Sequence, residues 1–269
     1  MTAKFSTREI TITIISAALY AVAIAITAPV PTPWGVGHFR PGVVVPAFFA
    51  VACGAWVAGL GAALGTFLGS FILTAVGTGL GPVASLVSGS PGNFAAFYLL
   101  GWFTSKYRSW RSFIWGSFIS ILVGNLIAAT GVMIWLTFFV PRWAPWPLDV
   151  KLATIFGLTL FWLVTMQPFV ISIVPIIMKA ATPILGETVK TTNLAWKKPS
   201  DVLYPSLGVA MVLAALFAWV SFTPLGDFLF AKVVSPEFTL WVKALFLITA
   251  VIMVLFGFAA SILLGRAEK

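Results

Sequence analysis

The sequence predicts an all-α integral membrane protein of about eight transmembrane helices, and three observations predict it. Of its 269 residues, 60% are hydrophobic and only 9% charged, where a soluble domain carries roughly 25% charged residues. The mean hydropathy is +1.06. The charged residues stand between long apolar runs, several of them long enough to cross a hydrocarbon core about 30 Å thick. The net charge of +9 could suggest a nucleic-acid partner, but the basic residues are scattered at the ends of apolar runs, a pattern that fits membrane topology better. The single cysteine, Cys53, can make no internal disulfide and says nothing about redox compartment.

The first span runs from Ile10 to Ala28. Lys4 and Arg8 before it resemble the start of a signal peptide, yet the run is long enough to be kept as a helix. Ala17, Ala21 and Ala25, spaced by four, share one helical face. Residues 29–40, PVPTPWGVGHFR, form a loop because three prolines in five residues prevent a helix. Trp34, His38 and Arg40 bring to it an aromatic face, a titratable ring and a fixed charge. A binding site and a membrane-interface loop both fit that composition.

From Val43 to Ile72 the only ionisable side chain is Cys53. As one helix this stretch would span about 45 Å, too long for a single crossing. A break at Cys53-Gly54-Ala55 divides it into a short segment from Pro41 to Ala52 and a full span from Trp56 to about Leu73. Gly54/Ala58/Ala62 and Gly61/Gly65/Gly69 are small-residue rows that suit close helix packing in lipid. Thr74 to Gly92 is an uncharged loop, either gate or connector. Asn93 to Thr104 is a short helix that Asn93 could cap. A span from Phe113 to Val140 contains Gly124, Asn125 and Gly131. The loop Pro141–Pro147 follows, and then a span from Leu152 to Met178 with Gln167, Pro168 and Pro175. The polar segment Glu187–Asp201 precedes two last spans, Val202 to Phe222 and Leu240 to Leu264.

With the N-terminus in the cytoplasm, eight crossings place Lys4, Arg8, Lys106, Arg108, Arg111, Lys179, Lys190, Lys197, Lys198, Arg266 and Lys269 inside. Arg40, Arg142, Lys151, Lys232 and Lys243 fall outside. That asymmetry favours a multi-pass protein of the cell membrane with both termini cytoplasmic. It also puts the three loops rich in proline, glycine and tryptophan on one outer face.

No GxxxxGK[ST] phosphate loop is present, so ATP hydrolysis by that route is not expected. One histidine and one cysteine make a transition-metal cage improbable. All seven carboxylates stand at or beyond span ends, which weakens a proton-driven carrier. No Ser/His/Asp set suggests an enzyme, and no cofactor is expected. The polar groups left within spans are neutral. Asn125 and Gln167 come at similar depth and could hydrogen-bond between helices or line a cavity. Trp135 and Trp162 could stack a flat ligand or anchor at the interface. Apolar and aromatic walls with a few amides suit a small ligand with little charge. The expected site lies beneath the Trp34–Arg40 loop, with Asn93 beside it and Asn125, Trp135, Trp162 and Gln167 deeper.

Arg40-Pro41-Gly42, the run Val-Val-Val-Pro-Ala-Phe-Phe-Ala after it, and Gly54-Ala55-Trp56-Val57-Ala58-Gly59 resemble the second and third helices of substrate-binding S-components of energy-coupling factor (ECF) transporters. The resemblance extends over about Ile10 to Ala181. It implies a six-helix S-component-like bundle over residues 1–181; residues 182–269, a cytoplasmic linker and a two-helix hairpin of the same membrane domain, fall outside that family core. It further implies capture of a small organic micronutrient, a vitamin or precursor, from outside. Uptake would be driven through a transmembrane coupling subunit and ATPase subunits, the former docking on the alanine face of Ala17, Ala21 and Ala25. The competing readings are an autonomous secondary transporter and, less favoured, a membrane-embedded lipid-modifying enzyme.

Overall fold

A computed structural model describes residues 5–27, 30–185, 198–230 and 236–267. The chain is an all-α integral membrane protein. Among the described residues there is no strand, and six helices are long and apolar enough to cross a membrane. They are α1 (Thr7–Thr27), α3 (Ala55–Ala75), α6 (Trp110–Phe139), α7 (Leu148–Leu185), α8 (Ser200–Phe222) and α10 (Pro236–Ala267). Two shorter helices complete the bundle, α2 (Val44–Cys53), entered through a 3-10 turn at Pro41–Val43, and α5 (Gly89–Tyr107). Two six-residue helices, α4 (Pro82–Val87) and α9 (Pro224–Leu229), lie in connections. Lys4, Glu187, Lys190, Lys197, Lys232, Glu268 and Lys269, used in the charge argument, lie outside the described residues.

The break in the long apolar stretch falls at Gly54, whose φ of 94° is costly for any residue with a Cβ. The turn is also a contact point. Gly101 of α5 approaches so closely that an added Cβ would stand 2.6 Å from the Ala55 nitrogen.

Small residues set the rest of the packing, because in lipid close backbone approach is a main source of helix association. Along the α1–α3 seam, Gly61 faces Ser16, Gly65 faces the Ala17 carbonyl and Tyr20, and Gly69 faces Ile24. The Gly61/Gly65/Gly69 row is therefore a packing seam. So is much of the alanine row of α1: Ala17 and Ala21 are buried inside the bundle and Ala25 is half-buried. This corrects the expectation of an outward-facing docking row. A partner could not reach Ala17 or Ala21 without parting α1 from its neighbours, and the exposed face of α1 carries Ile14, Val22 and Ile26 instead. Ala21→Leu should accordingly lower the thermal stability of the purified chain. A variant that melts like the parent yet fails to support uptake would return the row to a docking role.

Two element boundaries also differ from expectation. The Thr74–Gly92 stretch is not one loop, since it contains α4 and the first turn of α5. Asn93 lies within α5 and does not cap it; Ser88 precedes the helix, with no side-chain cap bond. Proline and glycine mislead here because Pro82 and Pro91 sit in first helical turns, where a missing N–H costs nothing.

The C-terminal pair, α8 and α10, shares the core of the bundle. Gly208 of α8 receives the Trp115 ring of α6, Gly257 of α10 receives Ser206 of α8, and Thr249 of α10 donates to the Val164 carbonyl of α7 at 2.8 Å. At one end Arg111, starting α6, pairs with Asp201, starting α8, at 3.0 Å. At the other end Phe230, just after α9, meets Trp34 of the first loop.

Candidate functional site

Residues 30–40 form an ordered turn. Phe39 N–H donates to Val30, Thr32 N–H to Gly37 and Gly35 N–H to Thr32, while the Thr32 hydroxyl donates to the Val36 carbonyl at 2.6 Å. Gly37, at φ 77°, lies against the Trp162 ring, so that a Cβ there would come within 2.7 Å of it. Trp162, on α7, is fully buried and donates its indole N–H to the His38 carbonyl at 3.0 Å. One side chain of the bundle thus fixes the turn by ring contact and by hydrogen bond.

Beneath this turn is a cavity that opens on one side to the surroundings. One wall is α1, with Tyr20, Ile24 and Thr27. A second is α3, with Thr66, Ser70 and Leu73. The turn supplies Gly37 to Arg40, followed by Gly42 and Val43. The connection through α4 supplies Gly79 to Gly81, Ala84, Ser85 and Ser88. The start of α5 closes it with Gly89 and Asn93, and α6 contributes Val132. Hydroxyl groups dominate the polar lining, and among the described residues no aspartate or glutamate lines the cavity.

Three of the eight expected binding residues meet here: His38, Arg40 and Asn93. The Asn93 amide donates to the Thr66 hydroxyl at 2.8 Å, which in turn donates to the Ala62 carbonyl at 2.7 Å, so α5 and α3 are tied at the cavity wall. The Tyr20 hydroxyl is buried near Thr66 and within the field of Arg40, and has no hydrogen-bond partner of good geometry.

Arg40 is the unusual group. Its guanidinium stacks over Trp162, 4.5 Å from the ring centroid, and its Nη1 is buried with no hydrogen-bond partner. Burial lowers its pKa from the ordinary arginine value, an effect opposed by Tyr20, but arginine starts so high that it stays cationic. No ion pair offsets the charge among the described residues. Asp201 pairs with Arg111, Asp227 with Lys243, and Glu9 bonds to Ser6. Arg40 is partly buried; withdrawing a cation even partly from water is unfavourable, and a cation–π contact returns about 0.5–2 kcal/mol. The site holds an uncompensated positive charge.

The other five expected residues stand elsewhere. Trp34 does not cover the cavity. It is buried between Phe161 of α7 and Phe230, at ring distances of 6.2 and 5.7 Å, and Gly157 makes room for its ring. Trp162 acts from behind the turn, as its support. Trp135 stacks on Phe139 of its own helix at 4.2 Å. Gln167 donates to the Ser117 hydroxyl at 3.0 Å, a bond between α7 and α6, and Asn125 is buried with its amide nitrogen unpaired. None of the five lines the cavity. Depth along a helix was readable for these amides, but helix rotation, which decides the face, was not.

Tyr20, Thr66, Ser70, Ser85 and Ser88 were not anticipated. The available signal was spacing: Tyr20 and Thr27, seven apart on α1, and Thr66 and Ser70, four apart on α3, each mark a single hydroxyl-bearing face of an apolar helix. Among the described residues no group of three or more His, Cys, Asp or Glu side chains could hold a metal ion. Compared with protein-family models, curated proteins and solved structures, the chain matches none.

Proposed function

We propose that this chain is a substrate-capture subunit for an ECF-type importer, which binds a small organic micronutrient from outside and hands it to an ATP-driven partner complex. The observation that carries this reading is the cavity at one end of a membrane bundle, bounded by the ordered turn 30–40 and the connection through α4. Hydroxyl groups, the Asn93 amide and Arg40 give its otherwise apolar wall the means to hold a water-soluble compound. The resemblance in Arg40–Gly59 supports the family, and the phosphate loop missing from the sequence supports dependence on separate ATPase subunits. In this reading both termini are cytoplasmic and the cavity opens outward. Reporter fusions after Lys269 should score as cytoplasmic; an external score would reverse the binding face.

The purified chain should bind its ligand in proteoliposomes without accumulating it. Mass spectrometry of small molecules that co-purify with the protein identifies the ligand, and a flux assay with that compound tests the proposal. ATP-independent accumulation against a gradient would show an autonomous secondary transporter instead.

A further inference from the structure

We infer that the ligand of this cavity is a small organic anion, held by its carboxylate or phosphate group against Arg40; the inference names the substrate class of the capture site proposed above and rests on that reading. Composition alone favoured a ligand of little charge, and the structure points the other way. Arg40 lies on the cavity wall, partly buried, with its Nη1 shielded and without a hydrogen-bond partner, and among the described residues no acidic side chain lines the cavity to neutralise it. A cation partly withdrawn from water with no acidic partner favours an anion beside it.

Two further features agree. Arg40 is held from behind, by the Trp162 ring, so its planar fork is oriented before any ligand arrives. Guanidinium geometry matches the two oxygens of a carboxylate or phosphate. The start of α5, at Gly89 after Ser88, also lies on the cavity wall. The start of a helix presents free N–H groups and partial positive charge, which favours an anion. The residues Tyr20, Ser70 and Ser85 line the rest of the wall, with the Ser70 hydroxyl donating to the Phe67 carbonyl and the Ser85 hydroxyl bonded to that of Ser90, so that each serine oxygen can still accept from the uncharged part of the molecule. An anionic lipid headgroup offers the same chemistry, but a cavity lined by hydroxyls and bounded by loops favours a soluble acid.

The test uses benzoate and inorganic phosphate against the isosteric neutral benzamide, at fixed ionic strength, on the full chain in detergent. Benzoate or phosphate should raise the melting temperature of the parent protein while benzamide does not. Arg40→Gln should weaken anion binding tenfold or more, and Arg40→Lys, which keeps the charge but loses the fork, should retain part of it. If neither anion stabilises the parent protein, or if Arg40→Gln responds as the parent does, the inference is overturned. Should Arg40→Gln fail to fold, the parent's choice between benzoate and benzamide still decides. Phosphatidylglycerol and phosphatidylcholine, added separately to the micelles, form the lipid arm. Stabilisation by phosphatidylglycerol alone would reassign the site to a headgroup and overturn the soluble acid. A neutral or cationic compound co-purifying in the cavity would sink the anion and leave capture standing. Anion binding with no uptake by any assembled complex would do the reverse.

Discussion

Gly124→Leu should leave no stable, monodisperse protein. Helices α5 and α6 cross there with almost no side chain between them. A Cβ added at Gly124 would stand 2.5 Å from the Ala96 Cβ and 2.6 Å from the Gly92 carbonyl oxygen, and one added at Gly92 would meet the Gly124 carbonyl at 2.6 Å. Both obstacles are backbone or the first atom of a side chain, so neither can rotate away. Overpacking a core commonly costs about 1–3 kcal/mol where side chains can shift. Here the helices themselves must separate, and the cost should exceed that range. The consequence reaches the site, because α5 carries Gly89 and Asn93 to the cavity wall. Ile134→Ala, on the exposed face of the same helix, should change stability far less. Size-exclusion profiles and melting curves of the two variants make the comparison. A well-folded Gly124→Leu protein would mean that the crossing is looser than the structure gives.

That crossing illustrates what the sequence discloses and what it withholds. Gly124 could be seen inside an apolar run, but not that it faces Gly92, since both lie on helices whose rotation only the assembled bundle decides. The break at Gly54 was legible for a simple reason: thirty uncharged residues exceed one crossing, and Gly54 is the first glycine of the stretch, placed so that a full span can follow it. The turn at residues 30–40 was legible from its prolines, and Arg40 and His38 stood out by their rarity. Trp34 shows the limit. In a loop it read as a cover or an interface anchor, whereas its burial depends on Phe230, almost two hundred residues away. Hydroxyl residues such as Thr66 gave no strong signal because threonine in a membrane helix ordinarily bonds back to its own turn, as Thr66 also does to Ala62. The cavity arises where six separate segments converge, and no local pattern encodes that convergence.

Trp162→Ala should release the turn over the cavity, and comparison with Trp162→Phe should show how. The indole supports the turn through three contacts: its N–H on the His38 carbonyl, its ring under Arg40 and its edge against Gly37. Truncation to alanine opens a cavity in a fully buried position, a change that costs about 3–5 kcal/mol in cores, and removes all three contacts together. Phenylalanine keeps an aromatic face for Arg40 but removes the N–H that the His38 carbonyl accepts, a bond worth about 0.5–1.5 kcal/mol. Hydrogen exchange should therefore rise first and most at residues 32–40 in Trp162→Phe, with the remaining helices protected as in the parent. In Trp162→Ala the increase should spread along α7. Trp135→Ala, which removes a ring stacked only within α6, should leave exchange in the turn unchanged. A uniform rise in both Trp162 variants would mark the residue as general core filling. A rise confined to the turn, accompanied by faster ligand release, would make the Trp162–His38 bond the tether that holds the site closed.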